Sequence, residues 1–240
     1  MLNLKTEKHH LLAQIQQCAN PHYRAGAGIA VPTALKQYGV RIPRLRQIAR
    51  DWQTAHKKIP QQELLSLVEL LWKGDSHEER TLAIELLRRY PRTISRLTWG
   101  HFDRWRRALD NWSLTDALGT TIFGPWLLAA PDIRLNYLEQ LIADEDVWSR
   151  RLALVATVPI NRGRTGFTIP ELTLTLINRV KDERHPMITK AVSWALRELT
   201  KTHRDSVAGY LEKNRDILAP HITREVSNKL RTGLKSGKAP

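Results

Sequence analysis

The residues best suited to chemistry are a tryptophan and an aspartate, Trp112 and Asp116. Because they are four residues apart, they share one face of a helix that contains both. A carboxylate among many basic side chains stays ionised, and it can stabilise positive charge that develops on a substrate. Asp116 is equally open to two structural roles, as a carboxylate at a helix start or as an ion-pair partner of Arg151.

Two further tryptophans stand beside cationic residues. Trp148 precedes Arg150 and Arg151, and Trp194 lies between Lys190 and Arg197 in the sequence. Aromatic faces next to cations suit contacts with the sugars and bases of a nucleic acid. For these two tryptophans, as for the one above, a place in the core remains the alternative. Three other tryptophans are assigned to packing: Trp52, Trp72 and Trp126.

Other kinds of site have little support in the sequence. Cys18 is the only cysteine, which excludes an internal disulfide and zinc sites built on two or four cysteines. The nine histidines show no metal-ligand spacing, and there is no phosphate-binding glycine loop or nucleophile motif. We therefore expect the protein to need neither a metal nor an organic cofactor.

The elements that must position these residues are helices. Apolar residues recur at helical spacing in seven segments, with no convincing alternation typical of strands. Glycines and prolines separate these segments. The segments are residues 42–52, 61–74, 77–90, 135–144, 148–158, 170–180 and 187–199.

The helices also recur along the chain. Asp116 lies 35 residues after Thr81 and 35 before Arg151, and Trp194 follows 43 residues after Arg151. A period of about 35–45 residues with two helices per unit is typical of HEAT-like repeats. We therefore predict an all-α protein, a curved α-solenoid of HEAT-like helix pairs. Equivalent helices of such an array line one concave face, where residues one repeat apart can meet one extended ligand.

Charge and composition indicate the partner. The chain has 38 Lys and Arg against 24 Asp and Glu, a net charge of +14, which favours a polyanion and first of all a nucleic acid. Anionic membranes and acidic proteins attract the same surface.

Location and domain organisation follow from the same reading of the chain. No stretch is apolar enough to span a membrane and the N-terminus lacks a secretory signal, so we expect a cytoplasmic protein. Residues 1–230 are predicted to form one domain, a monomer, and residues 231–240 a flexible basic tail.

Five segments together resemble the AlkD-type DNA alkylation repair proteins, the HEAT-like alkylpurine DNA glycosylases. They occur in the same order as in that family, and the resemblance covers roughly residues 15–225. The segments are YGVRIPRLRQIARDW (38–52), LWKGDSHEERTLAIELL (71–87), DNWSLTD (110–116), DVWSRRLAL (146–154) and ITKAVSWALRELTKTHRD (188–205).

The resemblance implies a solenoid whose basic concave face holds duplex DNA. It implies hydrolysis of the N-glycosidic bond of N3- and N7-alkylated purines, without flipping of the base into a pocket. The family's two tryptophans in the catalytic cleft fall on Trp112 and Trp194, its catalytic carboxylate falls on Asp116, and a phosphate-contacting arginine falls on Arg151. Arg197 is a second backbone contact by position, and Lys190, Arg150 and Trp148 complete the expected DNA-binding set.

The sequence departs from the family at one cleft position. Ala30 stands where the family carries an aromatic residue, and Tyr23 replaces that residue only if the helix shifts. The departure leaves three functions to compare. A glycosylase for cationic alkylpurines is the leading hypothesis, a non-catalytic binder of damaged or branched DNA is the second, and a protein-interaction scaffold is the third. The pair of Trp112 and Asp116 favours the first.

Overall fold

The structure, a computed structural model, describes residues 2–237 of the 240-residue chain. Within this range the protein is built of helices and has no β-strand; Lys36 and Ser76 form an isolated bridge. The predicted all-α class is confirmed, and all seven segments assigned to helices from their apolar spacing are helical. The chain divides into two compact units, Met1–Ile122 and Phe123–Pro240. The single domain over residues 1–230 stays a prediction.

Unit 1, Met1–Ile122, is organised around one central helix. This helix, α5, packs against α3, α4 and α8, and its residues Leu82, Ala83 and Leu86 are fully buried. The helices of the unit are α1 (Leu4–Gln17), α2 (Pro21–Ala30), α3 (Ile42–Ala55), α4 (Gln61–Trp72), α5 (His77–Leu87), α6 (Pro91–Ile94), α7 (Trp99–Arg106) and α8 (Trp112–Leu118).

Unit 2, Phe123–Pro240, is built around two long helices. Helix α12 packs against α9, α11 and α14, and α14 also packs against α16. A short π-helical segment, Gly119–Phe123, contains the boundary between the units. The helices of unit 2 are α9 (Gly124–Leu128), α10 (Pro131–Arg134), α11 (Asn136–Ile142), α12 (Val147–Ile160), α13 (Pro170–Asn178), α14 (Pro186–Leu199), α15 (Arg204–Lys213) and α16 (Pro220–Thr232).

The four helices that recur in the sequence all begin at a capping side chain. Such a side chain accepts a hydrogen bond from a backbone N–H that the helix itself leaves unpaired. Helix α5 packs on α8 within unit 1, and α12 packs on α14 within unit 2. The recurrence therefore identified helices that share both a start signal and a packing role. The capping residues are Ser76 for α5, Asn111 for α8, Asp146 for α12 and His185 for α14.

Candidate nucleic-acid interface

Helix α8 carries the tryptophan and the carboxylate. Trp112 is its first residue and the half-buried Asp116 lies one turn further along. The start of the helix is held by Asn111, which is fully buried and accepts the Leu114 N–H at 3.0 Å. Thr115 Oγ1 donates to the Asn111 carbonyl at 2.8 Å. No acidic residue lies in the first turn, so the alternative of a helix-start carboxylate for Asp116 is wrong.

The indole of Trp112 is tied to the end of α2. Its Nε1–H donates to the backbone carbonyl of Ala30 at 2.9 Å. Tyr23, Ala30 and Trp112 line a shared cavity of about 240 Å³. Ala30 is the position at which the sequence departs from the family, and Tyr23 is its possible replacement. Both therefore border the same space as Trp112.

Asp110 holds the connection between α2 and α3 against the start of α8. Its carboxylate accepts from Thr33 Oγ1 at 2.6 Å, from the Ala34 N–H at 2.8 Å and from Asn111 Nδ2 at 2.7 Å. Burial alone would raise the pKa of Asp110, but these hydrogen bonds and the charge of Arg80 outweigh burial and lower the pKa below its ordinary value. The carboxylate is therefore ionised at neutral pH and fixes the residue next to the α8 cap.

Helix α14 presents three of the predicted residues to one cavity of about 820 Å³ in unit 2. Lys190, Trp194 and Arg197 are four and three residues apart, which places them on one helix face. Basic side chains from α16, from the segment after it and from the segment before α14 complete the wall, together with one carboxylate. These additional lining residues include Arg184, His221, Lys235 and Glu225.

Glu225 organises the cations of this cavity. It accepts Ser193 Oγ–H at 2.6 Å, lies 3.7 Å from Arg197 Nε and pairs with Lys235 Nζ at 3.1 Å. Arg197 Nε also donates to Ser193 Oγ at 3.2 Å. Burial would raise the pKa of Glu225, but the hydrogen bonds from Ser193 and Lys235 and the two positive charges lower it. Glu225 is thus ionised, and it holds an arginine and a lysine at the cavity wall.

The predicted residues of α12 are engaged with the protein itself. Arg151 is 5% exposed, and its guanidinium donates to the Met187 carbonyl at the start of α14. Arg150 forms a two-point ion pair with Glu183, at 2.8 and 3.2 Å. Trp148 is half-buried. The expected DNA contacts of these three residues stay predictions, whereas their contacts within unit 2 tie α12 to the start of α14.

A family model described as DNA alkylation repair enzyme matches residues 11–230. The chain belongs to this family. The resemblance drawn from the sequence is confirmed, and the protein belongs to a group of enzymes whose partner is DNA.

Solved structures share the fold of this DNA alkylation repair family member. A predicted DNA alkylation repair enzyme from Enterococcus faecalis is 20% identical with a TM-score of 0.71, over 89% of this chain and 97% of its own. AlkD2 from Streptococcus mutans is 16% identical with a TM-score of 0.56, over 88% of this chain and 89% of its own. The protein smu.31 from Streptococcus mutans UA159 is 18% identical with a TM-score of 0.53, over 71% and 83%. No curated protein gives a significant sequence match. The likeness confirms the predicted fold of helical repeats.

The sequence did not single out four residues at the cavity of this family member: Arg184, His221, Glu225 and Lys235. In the sequence these residues stand out only as charged or ionisable side chains. They come together at one cavity because α16 packs on α14. Lys235 falls in the predicted tail, whose residues 238–240 lie outside the described part of the chain. Helix α16 extends to Thr232 and ends at Gly233, whose φ of +76° is left-handed.

Neither a cluster of metal ligands nor a membrane-spanning helix occurs in residues 2–237. No group of three or more His, Cys, Asp or Glu side chains there is placed to hold a metal ion. In the same range, no helix combines the length and the apolar character that crossing a membrane requires.

Proposed function

We propose that this DNA alkylation repair family member is a DNA glycosylase. It hydrolyses the N-glycosidic bond of cationic N3- and N7-alkylated purines in duplex DNA, and it does so without flipping the base into a pocket before cleavage. The observation that carries the proposal is the pair of Trp112 and Asp116, one turn apart on a helix whose start is fixed by the buried hydrogen bonds of Asn111.

The chemistry of the lesion explains why so few groups suffice. An alkylated purine is already positively charged, so it leaves without protonation by a general acid. As the bond breaks, the sugar takes on oxocarbenium character, which the negative charge of Asp116 stabilises. The same carboxylate can accept a proton from the attacking water. Trp112 would pack on the deoxyribose and add cation–π attraction. The reaction needs no metal or organic cofactor.

Binding to undamaged duplex is assigned to cationic residues that do not read sequence. Lys190 and Arg197 would bind backbone phosphates and Trp194 would contact the sugar or base beside them. Arg151, Arg150 and Trp148 are proposed to support this binding from α12. The cavity that brings Lys190, Trp194 and Arg197 together supports this assignment.

The test of the reaction is its products. Duplex DNA that contains 7-methylguanine is incubated with the protein, and both the free base and the abasic strand are quantified. We expect equimolar free base and intact abasic strand, since hydrolysis at the sugar breaks no phosphodiester bond. Release of free base no faster than in an enzyme-free control, or a strand break without free base, would contradict a glycosylase.

A non-catalytic binder of damaged or branched DNA is the second candidate. It is favoured by the cationic cavity of unit 2, whose residues do not include Asp116. Binding to duplex without base release, in the assay just described, would select this candidate.

A further inference from the structure

A second, smaller cavity in unit 1 has no assigned role. It measures about 240 Å³ and lies between α2, the connection that follows α2, and the starts of α3, α5 and α8. Its walls combine two aromatic rings, several small residues and a few polar groups. The lining residues used below are Tyr23, Ala27, Gln37, His77, Glu78 and Trp112.

The walls of this cavity are held in place by buried hydrogen bonds. Glu78 is 3% exposed, and its carboxylate accepts the backbone N–H groups of Tyr38, Gly39 and Val40 at 2.8–3.1 Å. The Lys36 carbonyl accepts the His77 N–H at 2.9 Å. The connection is thus fixed to the start of α5, and the cavity exists before a ligand arrives, which lowers the cost of binding.

Two polar atoms of the lining residues have no hydrogen-bond partner within residues 2–237. They are Gln37 Oε1 and His77 Nε2, and both are buried. The Gln37 amide is oriented by its Nε2, which donates to the Val31 carbonyl at 2.9 Å. Burial lowers the pKa of His77, so its imidazole is neutral at pH 7. Unpaired buried groups of this kind favour a ligand that offers one donor to the glutamine and one polar partner to the histidine.

Size and shape limit the ligand further. The cavity has the volume of about eight water molecules, at about 30 Å³ each. This space holds one flat heteroaromatic ring system, and the sugar and phosphate of a nucleotide would extend beyond it. Tyr23 and Trp112 supply aromatic side chains to the wall, and the Arg41 guanidinium lies over the Tyr23 ring, 4.8 Å from its centre. A flat ring can pack against these side chains. A purine presents donors and acceptors at its edges and therefore matches the lining in both shape and polarity.

The cavity adjoins the residues of the proposed reaction. Trp112 belongs to its wall, and Asp116 lies four residues along α8, about 6 Å at 1.5 Å per residue. When the glycosidic bond breaks, its electron pair stays with the purine and cancels the positive charge of the alkylated ring. Water supplies the oxygen to the sugar and releases one proton. The departing base is then neutral, and a neutral base loses far less solvation free energy than a cation does on entering a cavity with apolar walls.

We propose that this cavity binds the free purine base after the glycosidic bond is broken. The inference rests on the proposed glycosylase function and adds a product site to it. The base enters only after cleavage, so the lesion itself is not flipped into the cavity.

The test measures binding without DNA. Free 3-methyladenine and 7-methylguanine are titrated into the wild type, and binding is followed by calorimetry and by ligand-observed NMR. We expect saturable binding of one base per chain, and weaker binding of 2′-deoxyadenosine 5′-monophosphate, whose sugar and phosphate would extend beyond the cavity. Ala27→Leu places a larger side chain in the wall and should weaken binding at least tenfold. The control Ala25→Leu, at an exposed position of the same helix, should bind as the wild type does.

A second variant probes the cavity from the connection that follows α2. Gln37→Leu removes the unpaired acceptor together with the hydrogen bond to the Val31 carbonyl, so its free energy of unfolding is measured beside its binding. With unfolding unchanged, we expect about tenfold weaker binding of the base. Failure of the wild type to bind, or equal binding by Ala27→Leu and Ala25→Leu, overturns the product site and leaves the glycosylase proposal standing. Absence of base release from alkylated duplex overturns the glycosylase proposal, whatever the free bases do.

Discussion

The indole of Trp112 combines an aromatic face with one hydrogen bond, from its Nε1–H to the Ala30 carbonyl at 2.9 Å. Trp112→Phe removes this bond and keeps an aromatic face, whereas Trp112→Ala removes both. Contact of an aromatic ring with one nucleotide is worth about 1–3 kcal/mol, so we expect Trp112→Ala to lower the single-turnover rate of base release at least tenfold. Trp112→Phe should retain most of the rate, and Trp194→Ala should resemble Trp112→Ala.

Equal rates for the wild type and Trp112→Ala, measured on duplex that contains 7-methylguanine, would show that Trp112 serves packing alone. Binding of each variant to undamaged duplex is measured in parallel, because a loss of overall affinity would lower the rate without any role in chemistry.

The sequence predicted the roles of some residues better than those of others, and the difference follows from how deeply each side chain is buried. Trp52, Trp72 and Trp126, assigned to packing, are 6%, 4% and 2% exposed, which confirms the assignment. The sequence allows the tryptophans at 112, 148 and 194 either a nucleic-acid contact or a place in the core, and these three are half-buried. Glu225 and Lys235 had no signal beyond charge, because their neighbours on α14 are distant in sequence.

At the scale of elements, the connection between α2 and α3 depends on one buried carboxylate. Glu78 accepts three consecutive backbone N–H groups at 2.8–3.1 Å. Glu78→Gln removes the negative charge on which these three donors converge, and a hydrogen bond to a neutral amide oxygen is weaker than one to a carboxylate. Because such a loss costs about 1–3 kcal/mol, we expect the free energy of unfolding, measured by urea denaturation, to fall by about 2 kcal/mol. Glu139→Gln, at an exposed position of α11, should change it little, and equal stabilities of both variants would contradict the role of Glu78.

Asp110 makes the anchoring of α8 dependent on pH. Its pKa is lowered in the folded protein, so it contributes stability above its unfolded pKa, near 3.8, and this contribution is lost as pH falls through the lowered value. We expect the melting temperature of the wild type to fall below about pH 4 more steeply than that of Asp110→Asn. Parallel pH profiles for the two proteins would show that Asp110 is not stabilised as its hydrogen bonds indicate.

The helices could be predicted from the spacing of apolar residues, but the contacts of the connection between α2 and α3 could not. Apolar periodicity gives α3, α4 and α5 because each buries one face. The role of Glu78 is invisible in the sequence, where it reads as an ordinary acidic residue in the first turn of α5. Its partners lie about forty residues earlier, and only the fold brings them together.

For the whole molecule, the net charge of +14 predicts DNA affinity that falls steeply with salt. Each phosphate neutralised contributes about −0.9 to the slope of log affinity against log salt. Lys190→Ala should weaken binding to all sequences alike and make the slope shallower by about 1. Lys213→Ala, which removes an exposed lysine of α15, is the matched control and should leave the slope unchanged. A slope that both variants change equally would indicate diffuse charge and not a contact at Lys190.

Recurrence and segment order, taken together, predicted the helical repeat and the family. They did not predict the division after Ile122. The basic excess continues through both halves of the sequence, and no linker composition marks the boundary, which falls inside the continuous segment Gly119–Phe123.

The most direct test of the account is the charge of Asp116. Asp116→Asn keeps the size of the side chain and removes the negative charge proposed to face the oxocarbenium. Loss of one preorganised electrostatic group costs about 10²–10³ in rate, so single-turnover release of 7-methylguanine should slow by that factor. Binding to undamaged duplex should persist or rise slightly, and the control Asp132→Asn, at an exposed position of α10, should release base at the wild-type rate. Release by Asp116→Asn as fast as by the wild type would show that Asp116 is a structural carboxylate and would contradict the proposed mechanism.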